Sequence, residues 1–395
     1  MPYHAKSGMH LKPTFEIVVT RMIFTLGVAI TTVGVPLYLV ELGASDSQVG
    51  IYIGAMSLLI GALTLFLPPI LEKFNQLKIL IISYILTGFG LFAFGYTRYV
   101  FQAIFLLFVV HFFVTVGADS LGILFKDSTR GKKEFTRDTG LMGSLINFSW
   151  FIGPLIGGLM LNYAGVKGLF IMSGLFCLLA AIFILLLPFK TVNKKRPEID
   201  SSLKENLLFY LARPKLRIAY IQNMSISVWW GFIWTFVPIF MVKQGYSVAS
   251  IGIFIGLTQL PLFLLEFITV KILNKYSYRT VFFSSYAILG LIGIFAYLTP
   301  IYSAGLVAIL LGSFALSFIE PVSQLYFFDQ VTKLEEEKTY PVYGTSNIVG
   351  GTVVRLIIGA GLALFADRAA FLILALLMLY TAYNALKISP ANKLT

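Results

Sequence analysis

The sequence predicts an all-α membrane protein of twelve transmembrane helices, arranged as two pseudo-symmetric six-helix bundles. Three observations carry this expectation. Of 395 residues, 58% are hydrophobic and only 12% charged, with a mean hydropathy of +0.86, which leaves too little polar surface to cover a water-soluble globule of this size. The apolar residues also fall into segments long enough to cross ~30 Å of hydrocarbon at ~1.5 Å per residue. Finally, the chain repeats itself: the stretch from Pro36 to Gly54 returns 202 residues later from Pro238 to Gly256, with eight of nineteen positions identical and five more exchanged within one apolar or aromatic class.

In chain order, the predicted spans lie at 15–40, 47–70, 78–97, 100–125, 140–163, 168–188, 216–242, 249–273, 279–298, 302–328, 341–365 and 369–387. Backbone polar groups cannot be left bare in lipid, and no ten-residue alternating pattern of a barrel is present, so these spans are helices. The polar, basic first thirteen residues precede an apolar run that is too long for a leader and has no small-residue cleavage site, so it reads as an anchor. The halves are 1–189 and 216–395, joined by a hydrophilic linker at 190–215. Within the linker, Ser202 is placed as an N-cap with Glu205 in the first turn and an apolar run to Ala212, the pattern of a short helix lying on the membrane surface. Of the 30 basic residues, 24 fall on the side of the linker and termini, and only Arg98, Lys167, Lys243 and Arg368 on the other. By the positive-inside rule both termini are cytoplasmic, in the cell inner (cytoplasmic) membrane.

Composition also removes function classes. The net charge of +12 is spread through alternate loops, so it sets orientation and gives no nucleic-acid surface. The single Cys177 and the scattered His4, His10 and His111 offer no metal site. No cofactor is implied: the chain has no phosphate-binding Gly-Lys-Ser/Thr loop and no nucleophile motif, which argues against an enzyme or an ATP-driven pump.

Two motifs point further. After span two, Pro68-Pro-Ile-Leu-Glu72-Lys73-Phe-Asn75 leads to Lys78, and at the same 202-residue offset Val270-Lys-Ile-Leu-Asn274-Lys275-Tyr-Ser277 leads to Arg279. Span five carries Gly140, Ser149, Gly153, Pro154, Gly157 and Gly158. Small residues at near-helical spacing permit close helix approach, and Pro154 removes a helix hydrogen bond and permits a bend. The first pattern resembles the signature of the major facilitator superfamily, with Pro68, Glu72 and Asn75 as departures. The second resembles the antiporter motif of its proton-coupled drug exporters, with Ser149 in place of a glycine. The resemblance covers essentially the whole chain.

That resemblance implies alternating access between two rocking halves, a gate in which Glu72 and Lys73 meet the start of span eleven near Tyr340, with Lys275 as their counterpart, and a pliable seam between halves at span five. It also implies a small-molecule substrate, protons as the driver, export of an amphipathic organic compound, a lipid bilayer as the only large partner, and a monomer. An uptake symporter for a sugar or organic acid is the alternative, and a lipid flippase a more distant one.

Ionisable residues within hydrocarbon are costly and mark pathways. Arg21 in span one and Asp119 in span four lie at similar depth and form the first candidate ion pair. His111, in span four, stands where a related exporter motif has Arg. In the second half, Glu320 and Arg355 form the candidate coupling pair, with Glu266 in reserve. Burial disfavours a carboxylate's charge and a nearby guanidinium favours it, so moving one against the other loads and unloads a proton. Trp230 and Trp234 of span seven, with Asn147, Asn223 and Gln259, are the candidate cavity lining.

Overall fold

In the computed structural model the chain is described over residues 13–64, 67, 74–129, 132–187, 203–265 and 275–389, and no β-strand occurs among them. The first half comprises α1 (Pro13–Glu41), α2 (Asp46–Thr64), α3 (Gln76–Phe94) and α4 (Val100–Ser128), followed by a continuous trace over Lys132–Leu186. Gly165 breaks that trace with φ 65° and ψ −170°, so it is two helices, α5 (132–164) and α6 (166–186). A ten-residue helix, α7 (Leu203–Ala212), then leads into α8 (Pro214–Lys243), α9 (Val248–Leu265), α10 (Tyr278–Leu298), α11 (Tyr302–Asp329), α12 (Lys333–Leu364) and α13 (Ala369–Ala385).

Ten of these traces are long and apolar enough to cross a membrane. Dividing one at Gly165 and adding the 17-residue apolar α13 yields twelve spans, with α7 as the extra helix. Two helices start eight residues before the sequence expectation, α5 at Lys132 in place of 140 and α12 at Lys333 in place of 341. Thr332 and Glu335 form a capping box there, the Glu335 carboxylate accepting the Thr332 N–H at 2.9 Å. The cap satisfies the orphan donors of the first turn, so the helix starts at Lys333 and runs through Pro341.

The internal repeat has a local cause. Gly43 and Gly245 adopt φ of 102° and 81°, the left-handed region that favours glycine. Each ends its helix with a backbone bond reaching back five residues, Ala44 N to Leu39 O at 3.0 Å and Tyr246 N to Met241 O at 3.1 Å. Two residues beyond each glycine, Ser45 and Ser247 cap the next helix by accepting the N–H of Gln48 and of Ser250, both at 3.2 Å. On the opposite side, Asn75 and Ser277 cap α3 and α10 in the same manner. The two sides are called here the repeat face and the linker face.

Within the first half, α1 lies between α5 and α6. A side chain at Gly153 or Gly157 would strike Ala29 or Ile30, and one at Gly27 would strike Ser173 and Cys177. In the second half, Gly350 of α12 lies against the Met224 carbonyl of α8, and Gly293 of α10 against Ala375 of α13. The halves meet chiefly along two helix pairs, α2 with α12 and α5 with α9, and α1 also touches α8. Outward-facing Leu58, Leu59, Phe89, Phe105, Leu291 and Leu311 leave an apolar belt around the bundle, as a protein solvated by lipid requires.

Candidate functional site

The site lies where the halves meet, and its repeat-face end is shut. An added Cβ at Gly158 would come 2.8 Å from the Gly252 Cα, and one at Gly252 would come 2.4 Å from the Pro154 carbonyl oxygen, so α5 and α9 touch backbone to backbone. The second pair is as close: a Cβ on Gly50 of α2 would lie 2.8 Å from the Arg355 carbonyl oxygen and 3.0 Å from Gly359 Cα. Over these contacts Lys243, at the end of α8, forms an ion pair with Asp46 of the opposite half and a second, at 3.0 Å, with Asp367 of its own.

Deeper in, Arg355 of α12 donates from Nε to Thr235 Oγ1 at 2.9 Å and from Nη1 to the Gly351 carbonyl at 3.3 Å and to Ser57 Oγ of α2 at 3.4 Å. The guanidinium is therefore held by neutral oxygens, one of them across the interface, and not by Glu320. Glu320 instead accepts the Trp230 indole N–H at 3.4 Å. Arg355 acts electrostatically on His111 of the other half. That ring is anchored locally, with Nδ1 donating to the Leu107 carbonyl at 3.0 Å.

Between the halves three tryptophans form a column. Trp150 of α5 stacks on Trp234 of α8 with centroids 4.8 Å apart and planes 10° from parallel, and Trp234 continues onto Trp230 at 5.5 Å and 15°. Trp150 lies eight residues from Gly158, so the column sits ~12 Å from the α5–α9 contact along α5.

Beside it the second half presents an amide and hydroxyl wall. Asn223 Nδ2 donates to Ser346 Oγ at 2.7 Å and to Asn347 Oδ1 at 3.0 Å, and Ser227 donates to the same Asn347 oxygen at 3.1 Å. Ser323 Oγ donates to Asn223 Oδ1 at 3.4 Å and lies 3.0 Å from the Tyr343 hydroxyl.

The first half is built differently at the symmetry-related positions. Arg21, the counterpart of Asn223, acts electrostatically on both Tyr84 and Asp119, without an ion pair within 4.0 Å between Arg21 and Asp119. Tyr84 stacks on Phe24 at 3.8 Å. The Arg21 Nη1 and the Tyr84 hydroxyl are both buried, with the guanidinium next to the phenol. The counterpart of Tyr84 is Tyr286, whose hydroxyl donates to the Gln222 carbonyl.

The remaining sequence candidates are dispersed. Gly153 and Gly157 pack on α1 in their own half, so only Pro154 and Gly158 of the span-five set belong to the seam, and a Cβ on Gly140 would meet nothing within 4 Å. Half-buried Asn147 lies three residues before Trp150. Gln259 is buried, with Nε2 lacking a partner. Lys275 is exposed and lies over the Tyr276 ring. Glu72, Lys73 and Glu266 lie outside the described residues. Sequence reasoning missed Trp150, Asn347, Asp46 and Asp367. The polar run Thr345-Ser346-Asn347 inside an apolar helix was a readable signal, whereas the partners of Lys243 were not.

Comparison with known proteins agrees with this architecture. The sequence profile of the Major Facilitator Superfamily matches residues 17–265, which is more than half of the chain. The chain belongs to that superfamily. It is an integral membrane protein and a transporter by family and fold, moving its cargo by alternating access. A relative, an uncharacterised MFS-type transporter of Methanocaldococcus jannaschii, is 26% identical over 280 residues, covering 67% of this chain and 69% of the relative. Among solved structures, a point mutant of the nucleoside transporter NupG aligns with a TM-score of 0.77 at 13% identity, over 94% of this chain and 98% of that one. A bacterial homologue of the human lysosomal transporter Spinster, inward-facing and unoccupied, aligns with a TM-score of 0.69 at 15% identity, over 96% and 95%. At these identities the superfamily fold is what is shared.

Proposed function

We propose that this transporter couples proton movement to export of a small amphipathic organic compound, with both termini in the cytoplasm of a cell whose inner membrane it spans. On that orientation the repeat face, which is packed shut, is the outside. The observation that carries the reading is the division of labour between symmetric positions. The first half places a half-buried guanidinium, Arg21, near a half-buried carboxylate, Asp119, where the second half has the neutral Asn223 network. A charge pair that can gain and lose a proton suits coupling, and a wall of amides and hydroxyls beside aromatic rings suits recognition of an organic molecule. Close packing of Pro154 and Gly158 on α9 supplies a seam along which the halves can pivot.

The test is flux in proteoliposomes under an imposed pH gradient. Export by antiport requires substrate to move against the proton flow, and Asp119→Asn to abolish the dependence on the gradient. Equal proton dependence in wild type and in both Asp119→Asn and Glu320→Gln refutes the coupling assignment. Substrate moving with the protons identifies the alternative, an uptake symporter. The alignment with a transporter titled for nucleosides keeps that alternative specific enough to test with the same vesicles.

A further inference from the structure

The stack of Trp150 on Trp234 joins the two halves and nothing covalent holds it, so relative motion of the halves can part the rings. The rings are nearly parallel, with centroids 4.8 Å apart, and a third ring would need one further van der Waals spacing of about 3.5 Å. A ring therefore enters only when motion of the halves parts α5 from α8 by one such spacing. The result is a slot with an indole on each wall.

We infer that Trp150 and Trp234 clamp a flat, conjugated heterocycle of the transported compound, one with hydrogen-bond acceptors on its ring edge. The inference deepens the export reading and rests on its premise that the column lies in the substrate path. One donor supports the edge chemistry: Gln259 Nε2 is buried without a partner. It stands on α9 between Gly256 and Phe263, which meet Phe151 and Phe148 of α5, so it lies at the level of Trp150. A buried donor left unpaired is costly unless the working state satisfies it, and an acceptor on the edge of a ring held in the slot would do so for the Gln259 amide. At the far end of the column Trp230 already spends its N–H on Glu320, which distinguishes the open end of the stack from its anchored end.

Binding is tested by calorimetry on the purified full-length protein in detergent, with empty micelles as the blank. The probes are adenosine, ethidium and fluorescein, flat and respectively neutral, cationic and anionic, with sorbitol as a non-planar control. At least one flat probe is expected to bind saturably and sorbitol not to bind. Trp150→Ala should weaken that binding by ~10-fold, equivalent to about 1.4 kcal/mol, and Trp150→Phe, which keeps a π face, should stay within about threefold, the spread of ring types in stacking. If the Ala variant is not monodisperse, Trp150→Leu serves, having bulk without a π face. Failure of all three flat probes to bind, equal binding of sorbitol, or equal losses in the Phe and Leu variants overturns the slot. Saturable binding that depends on Trp150, without flux driven by a pH gradient, instead overturns the export reading and leaves the slot standing. Proton-driven flux of sorbitol alone does the reverse.

Discussion

Lys243 of the second half reaches across the molecular interface to Asp46 of the first, while its other partner, Asp367, belongs to its own half. This is the one ion pair between halves among the described residues. It sits above the close crossings of α5 with α9 and α2 with α12. The Lys243 side chain is 44% exposed, so the pair contributes only ~1 kcal/mol or less. The latch biases the closure and the packing beneath it supplies the seal.

Two consequences are measurable at that latch. Lys243→Ala should shift the balance of states by less than about tenfold, seen as a modest change in flux. With Asp46→Cys and Lys243→Cys combined in a Cys177→Ser background, oxidation should join the halves and lower flux by at least ~10-fold, with recovery on reduction. Cross-linking that leaves flux intact would mean that this end does not move.

The glycines of span five should separate into two classes. Gly158→Ala places a methyl against the Gly252 backbone, which cannot rotate aside, and such overpacking costs ~1–3 kcal/mol. The variant should close the repeat face less well, read as slower cross-linking in the cysteine pair above. Gly140→Ala meets nothing and gains ~0.5–1 kcal/mol of helix propensity. It should transport normally and melt no lower than wild type.

Asn223 ties α8 to α11 and α12 through Ser323, Ser346 and Asn347. Asn223→Ala leaves several buried groups unpaired, a loss of about 1–3 kcal/mol. Thermal unfolding should shift downward, and KM should rise more than kcat falls. An unchanged melting point would show that Ser346 and Asn347 re-pair without it.

On the linker face, hydrogen bonds from Arg213 and from the Thr332 backbone hold the Glu335 carboxyl down to about 2. The Arg213–Glu335 pair is 2.6 Å long and joins the α7–α8 junction to the start of α12. A lowered folded-state value means that the linkage is fully present above the ordinary carboxylate range and lost only as pH falls through about 2. Glu335→Gln should therefore leave the shape of the flux–pH profile between pH 5 and 8 unchanged, while raising the rate of proteolytic cleavage between residues 203 and 213. A displaced pH profile would show that Glu335 titrates in the working range.

Helix count, halves and joins were legible because they depend on short-range physics. A segment's length and apolarity decide whether it can cross lipid, and Gly43 with Ser45, repeated as Gly245 with Ser247, encodes a turn within a few residues. The start of α12 was placed at 341 because the apolar run begins there, whereas the capping box of Thr332 and Glu335 starts the helix at Lys333. Pairings across the interface were of another kind. The expected Arg355–Glu320 pair gave way to Arg355 with Thr235, Ser57 and Gly351, since which neutral oxygens converge on a guanidinium depends on the rotation of three helices about their axes.

Composition, periodicity and the 202-residue repeat thus suffice for a twelve-helix bundle in two halves, because each helix answers to lipid and to its own turns. Whether Trp150 meets Trp234, whether Lys243 finds Asp46, and which glycines of α5 face the other half all required the assembled molecule. Those contacts join residues far apart in the chain, and small changes in helix rotation or tilt make or break them without altering any local signal.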